Sequence, residues 1–280
     1  MDILSAVIAG IIQGATEFLP VSSSGHLALF HAFFGQNDFY DQVAFDVFLH
    51  LGTLIAVCAV YRKDVIGLIK GCFTGVYKLI SGKYRCGYTE YERLAFFVVI
   101  ATLPLVLLAL TGADGAVDVV SLHPVIVGAA LITNGFVLLL TEKSGAGGRG
   151  LSEMRPRHAL MIGLCQAAAI IPGLSRSGCT VCGGSVQRFD RDSAVKFSFL
   201  ISVPAIAGAN VLKLPDVIGS GEFTGNTAVY ICGFAAAAIS GFCAVKLFLL
   251  AVKKAKLRYF SFYCFALGAA AVIYEIITVI

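Results

Sequence analysis

Apolar runs long enough to cross a bilayer, which takes about 20 helical residues, recur six times along the chain. They cover 43–61, 94–111, 124–141, 195–212, 227–250 and 259–280. Two further apolar stretches, 3–34 and 159–187, are interrupted midway by proline, serine and glycine. Non-helical backbone at membrane depth must be buried in protein or line a polar cavity. These two stretches therefore predict re-entrant hairpins rather than full spans. The expected fold is an all-α polytopic membrane protein, with six transmembrane helices plus two re-entrant helical hairpins in one integral domain over 1–280.

Composition agrees with that pattern. The chain is 58% hydrophobic and 14% charged, with a mean hydropathy of +0.86. A soluble domain of this length could not hide so much apolar surface. The opening MDILSAVIAG carries an acid, no base and no obvious cleavage site, so no removed signal peptide is expected. The net charge of +4 sits in short connections and calls for no nucleic-acid partner.

Charge then orients the spans. The segment 62–93 carries seven Lys/Arg, 142–157 four and 253–258 four, whereas 35–42 and 112–123 each hold two aspartates and no Lys or Arg. Basic connections face the cytoplasm. The alternation closes only if 3–34 enters and leaves from the outside and 159–187 from the inside. That divides the domain into halves of opposite orientation, approximately 1–141 and 158–280. Gln13, Pro20 and Ser22-Ser-Ser-Gly25 have counterparts in Gln166, Pro172 and Ser175-Arg-Ser-Gly178. An inverted-topology repeat of broken helices builds a polar site near the midplane.

Two motifs carry candidate chemistry. In QGATEFLPVSSSGH (13–26), Gln13 and Glu17 share a helix face, and Pro20 ends that helix. Ser22, Ser23 and Ser24 then cap a second helix, whose free N–H groups favour an anion. Ser23 and His26 are three apart, within reach for a hydroxyl and an imidazole to cooperate. In IIPGLSRSGCT (170–180), Arg176 stands in an apolar run, where a charge costs about 2.5–3.5 kcal/mol. Its planar fork suits a phosphate. Gly173 and Gly178 let backbone N–H groups approach an anion, and Ser175, Ser177 and Thr180 add donors. The alternative is that Arg176 only pairs with Glu17 to hold the hairpins together.

Other polar positions add less. Asp46 and His50 either support the site or pair with each other, and His31 lines the cavity or nothing. Glu275 sits near a membrane end, and His123 and His158 take no role. Of nine cysteines, Cys179 and Cys182 form a C-x-x-C, but no second pair or nearby histidine completes a zinc set.

QGATEFLPVSSSGH and PGLSRSG together strongly resemble the undecaprenyl-pyrophosphate phosphatase family, often called BacA. FDVFLHLGTLIAV (45–57) and FSFLISVPAIAGA (197–209) also look like family segments. The resemblance implies removal of the terminal phosphate from a polyprenyl pyrophosphate lipid, with a divalent cation (Mg²⁺ or Ca²⁺), on the outer side of the bacterial plasma membrane. Such activity recycles the carrier lipid for peptidoglycan synthesis and is linked to bacitracin resistance. The family's acidic motif places Glu or Gln, then three residues, then Glu; here these are Gln13 and Glu17, the expected metal positions. On this pattern Ser23 attacks the terminal phosphorus and His26 manages the proton, or His26 attacks and Ser23 binds phosphate. Arg176, Ser175 and Thr180 neutralise the equatorial oxygens, and Ser22, Ser24, Gly25, Gly173, Ser177 and Gly178 complete the expected substrate contacts. The expected partners are the substrate and membrane lipids, with room for a homodimer.

The rival reading is an inverted-repeat transporter of phosphate or a lipid phosphate, which would keep Arg176 and the helix N-termini but needs no nucleophile. The type-2 phosphatidic acid phosphatase pattern, S-R-x5-H, fails because no histidine follows Arg176 at that spacing.

Overall fold

The computed structural model describes residues 2–34, 39–83, 87–112, 123–144, 147–220, 227–252 and 257–279. Among the described residues it contains eleven α-helices and no strand beyond an isolated bridge between Arg149 and Phe189. They are α1 (Ile3–Glu17), α2 (Ser23–Phe34), α3 (Phe39–Val60), α4 (Arg62–Ile80), α5 (Glu90–Ala109) and α6 (Pro124–Ser144). After a short 3₁₀ turn (Leu151–Glu153) follow α7 (Pro156–Ala168), α8 (Arg176–Val186), α9 (Arg191–Ser220), α10 (Thr227–Val252) and α11 (Arg258–Val279).

Each of the six predicted spans falls on one helix: α3, α5, α6, α9, α10 and α11. Five of them, α5, α6, α9, α10 and α11, are long and apolar enough to cross a membrane. A sixth is reached when α3 and α4 are taken together across the 92° bend between them. The segment 62–93 differs from a simple connection, because its first part is the 19-residue α4. Gly67, Gly71 and Gly75 recur every four residues and form one face of that helix. A Cβ on Gly71 would come within 2.6 Å of the Tyr91 carbonyl, so the bare face is what lets α4 lie against α5. The connections 35–42 and 112–123 and most of 253–258, which carried the charge argument, lie largely outside the described residues.

Close helix packing rests on small residues. Cβ atoms on Gly128 and Gly268 would lie 2.7 and 2.6 Å from each other's carbonyl oxygens, which fixes α6 against α11. On α1, Gly10 faces the Gly233 carbonyl and Gly14 faces Ala237 and Ser240 of α10. Without a hydrophobic force between helices in lipid, such seams supply the van der Waals contact that holds spans together. Aromatic packing fills the centre: Phe199 of α9 meets Phe18 and Tyr61 edge-on, with ring centroids 5.5 and 5.7 Å apart.

Both apolar stretches are broken where proline, serine and glycine predicted. α1 stops at Glu17, and α2 restarts at Ser23 after a turn in which Ser22 takes a φ of 69°. α7 stops at Ala168 and α8 restarts at Arg176, with Gly173 at a φ of 100° that side chains rarely adopt. The two restarts use the same bonds. The Gly25 amide donates to Ser22 Oγ at 3.2 Å, and Ser22 Oγ lies 3.2 Å from Ser24 Oγ. The Gly178 amide donates to Ser175 Oγ at 3.1 Å, and Ser175 Oγ lies 3.0 Å from Ser177 Oγ. The preceding helices also match, for Gln13 and Gln166 are both fully buried and both leave Oε1 without a hydrogen-bond partner.

Candidate active site at the meeting of two helix breaks

The last turn of α1 aims Gln13 and Glu17 into the interior, four residues apart as their shared face requires. Gln13 Nε2 donates to Glu17 Oε2 at 2.9 Å. From the first turn of α2, Ser23 Oγ donates to the same oxygen at 2.5 Å. The other carboxylate oxygen, Oε1, accepts Arg176 Nη2 from the first turn of α8. Glu17 is buried, and these donors compensate the loss of water around its charge. Thus both breaks end on one carboxylate.

Further bonds lock the breaks together. Asn134, buried in α6, donates from Nδ2 to the Pro20 carbonyl at 2.9 Å and accepts the Ser175 amide on Oδ1 at 3.1 Å. Ser177 Oγ donates to the Leu19 carbonyl at 3.0 Å. Gly25 and Gly173 lie so near that a Cβ on Gly25 would come 3.1 Å from Gly173 Cα. Gly173 in turn presses on α6, where its own Cβ would sit 2.5 Å from the Val127 carbonyl.

The expected site residues divide into two groups. Gln13, Glu17, Ser23 and Arg176 converge. Ser23 is half-buried and Ser24 exposed. Ser22, Ser175, Ser177 and Thr180 are buried and already bonded within the breaks. Thr180 Oγ1 donates to the Arg176 carbonyl at 2.9 Å and lies 2.6 Å from Ser198 Oγ, which braces the turn carrying Arg176.

His26 is not bonded to Ser23. Its Nδ1 meets the Ser22 carbonyl at 2.7 Å and its Nε2 meets Tyr263 Oη at 2.7 Å, with the two rings nearly parallel. A carbonyl can only accept, so in the neutral ring Nδ1 donates and Nε2 accepts from the tyrosine. The imidazole nearer the carboxylate is His50, whose Nε2 lies 3.8 Å from Glu17 Oε2. The Asp46 carbonyl holds His50 Nδ1 at 2.7 Å, and His31 Nε2 reaches Asp46 Oδ1 at 3.3 Å. Asp46 thus serves both histidines rather than pairing with His50 alone. Tyr263 and Asn134 were missed in the sequence. An asparagine within the apolar run 124–141 was the available signal for Asn134, since a polar group there seeks partners across helices. Tyr263 offered none among ten tyrosines.

Among the described residues no group of three His, Cys, Asp or Glu side chains could hold a metal. The oxygen atoms available at this place are those of Glu17 and the unpartnered Oε1 of Gln13. Cys179 and Cys182 are buried in α8 as free thiols.

Known proteins are similar to this chain in sequence along nearly its whole length. The family described as Bacitracin resistance protein BacA matches residues 6–270. An undecaprenyl-diphosphatase of Methanobrevibacter smithii is 40% identical, with 96% of each chain covered. One of Alkaliphilus metalliredigens is 36% identical over 99% of this chain and 100% of its own. One of Rubrobacter xylanophilus is 39% identical over 96% and 97%. With its family match running from the first helix to the last, and relatives of this identity matched end to end, the chain belongs to the BacA family.

Proposed function

We propose that this chain is an undecaprenyl-diphosphatase, hydrolysing the terminal phosphate of undecaprenyl pyrophosphate to leave undecaprenyl phosphate and inorganic phosphate. The product lipid returns to peptidoglycan synthesis, and removal of the pyrophosphate form accounts for bacitracin resistance. Near-full-length relatives of that name and the family match support the reading. The observation that carries it is the convergence of Ser23 and Arg176, from two different breaks, on the Glu17 carboxylate.

In this reading Ser23 Oγ attacks the terminal phosphorus, and its proton passes to the carboxylate it already contacts. The bond from that phosphorus to the bridging oxygen breaks, and the lipid phosphate leaves with the electron pair. Water then cleaves the phosphoserine and releases inorganic phosphate. Arg176 turns its remaining donors to the equatorial oxygens, where positioning and charge are most of what phosphoryl transfer needs. The hydroxyl of the exposed Ser24 and the first amides of α2 supply further donors. His26 and Tyr263 border the same break, and both ring nitrogens of His26 are engaged, which favours Ser23 over His26 as nucleophile. A transporter would need Arg176 but not a serine hydroxyl held on a carboxylate.

A divalent cation fits the residues present. Glu17 and the orphaned Oε1 of Gln13 are hard oxygen ligands, and Mg²⁺ or Ca²⁺ commonly binds through one or two such groups plus substrate phosphates. Bound there, the ion neutralises pyrophosphate charge. The matching bonds of the two breaks and the paired Gln13 and Gln166 support an inverted repeat of halves approximately 1–141 and 158–280. The lysine and arginine of 62–93, 142–157 and 253–258 support a site open to the outer side of the plasma membrane. The test is phosphate release from a polyprenyl pyrophosphate by purified protein in detergent. Release that stops with a chelator and returns with Mg²⁺ or Ca²⁺ is expected; a folded protein that binds this lipid without releasing phosphate would overturn the reading.

A further inference from the structure

The helix α4 leaves the end of α3 at 92° and turns its glycine face to α5. The opposite face carries Ile66, Ile69, Phe73, Val76, Tyr77 and Ile80, spaced three and four apart. All are exposed, Phe73 at 73% and Ile80 at 81%. A helix that crossed the bilayer could not carry Arg62, Lys63, Lys70 and Lys78 within 19 residues at small cost. A helix in water could not leave such a stripe bare.

The charges of α4 are sorted. Asp64 is taken by Lys196 Nζ at 2.7 Å and by Tyr91 Oη at 3.1 Å, and Lys78 is taken by Glu92 at 2.8 Å. Arg62, Lys63 and Lys70 remain exposed with no ion pair among the described residues, Lys63 and Lys70 on the flank of the apolar stripe. The rest of this end is basic too. Arg93 donates to the Ser152 carbonyl at 3.1 Å, which brings the exposed Arg155 and Arg157 to the same end as the start of α5.

We propose that α4 lies along the membrane surface, its apolar stripe sunk into the boundary between headgroups and acyl chains, with Lys63 and Lys70 on the headgroups of anionic lipids. An amphipathic helix with basic flanks buries its apolar face about 5–10 Å into that boundary. The occupant is lipid rather than a second copy of this chain, because the exposed charges beside the stripe are basic, which anionic headgroups complement and an identical face does not. The inference stands apart from the catalytic reading and shares no residue with it.

The chain contains no tryptophan, so Phe73→Trp gives it a single reporter. The full-length variant is reconstituted in bilayers containing lipids brominated near the glycerol end or near the methyl end of their chains. Emission should be blue-shifted, quenched most by the shallow bromines and little by aqueous acrylamide. In mixed bilayers, brominated phosphatidylglycerol should quench more than brominated phosphatidylcholine at equal fraction. Each lysine near a charged surface is worth about 1 kcal/mol, or about fivefold in local enrichment, and Lys63→Gln with Lys70→Gln should clearly shrink the difference. Tyr77→Trp on the same face repeats the measurement if Phe73→Trp folds poorly. Quenching by acrylamide, or shielding from both acrylamide and brominated lipid, would overturn the surface placement, the latter pointing to a protein neighbour. Equal quenching by the two headgroups would overturn the anionic preference.

Discussion

Arg176, in the first turn of α8, bonds the carboxylate of Glu17, the last residue of α1 and 159 positions earlier. This contact closes two interrupted helices into one site, and its two sides come from two halves of the chain. Breaking a buried pair by removing one partner typically costs about 3–5 kcal/mol. The pair therefore has both a structural and a chemical share, which a conservative substitution can separate.

Arg176→Lys keeps the charge and can still meet Glu17, but it offers no planar fork to two phosphate oxygens. Preorganised contacts to developing charge are worth ~10²–10³ in rate, so turnover should fall by about that factor while the melting temperature stays near wild type. Rate and melting curve measured side by side decide the matter. A variant that melts early yet turns over normally per folded molecule would reduce Arg176 to a brace.

Asn134→Leu removes the amide that serves both breaks, leaving the Pro20 carbonyl and the Ser175 amide buried without it. Each such group costs about 1–3 kcal/mol. A clear drop in thermal stability is expected, together with lost turnover, because the serine and the arginine are no longer held in register. Unchanged stability would show that the breaks are held by Ser177 and the ion pair alone.

Single cysteines introduced near Asp38, Asp114 and Gly221, with the native thiols blocked, should react with an impermeant reagent from the outer side. Those near Gly82, Gly147 and Lys254 should not. The expectation follows from the distribution of lysine and arginine. Labelling at Gly147 from outside would contradict the inverted arrangement of the two halves.

Much of the site was legible because its residues are costly where they stand. Glu17 and Arg176 are charges in apolar runs, and Pro20, Gly173 and the serine clusters cannot continue a membrane helix, so each announces a reason to be there. Spacing along the chain misled at His26. Three residues on a helix bring it near Ser23 in principle, but its ring turns to Ser22 and to Tyr263, which lies 237 positions away. His50 and Asn134 reach the site only through tertiary packing that no local pattern encodes. Thr180 follows Arg176 by four, so its hydroxyl finds the Arg176 carbonyl before any ligand. In α4 the apolar stripe was present at helical spacing, but basic residues on its flank made the segment read as a connection.

Ser23 is the residue expected to receive phosphate, since its hydroxyl is the one held on the Glu17 carboxylate. The direct measurement is rapid quenching of the protein with substrate labelled in its terminal phosphate, followed by digestion and identification of the labelled peptide. An acid-stable, base-labile phosphoserine is expected at Ser23, absent in Ser23→Ala, which still binds the lipid. An acid-labile label on His26, or full turnover by Ser23→Ala, would contradict it.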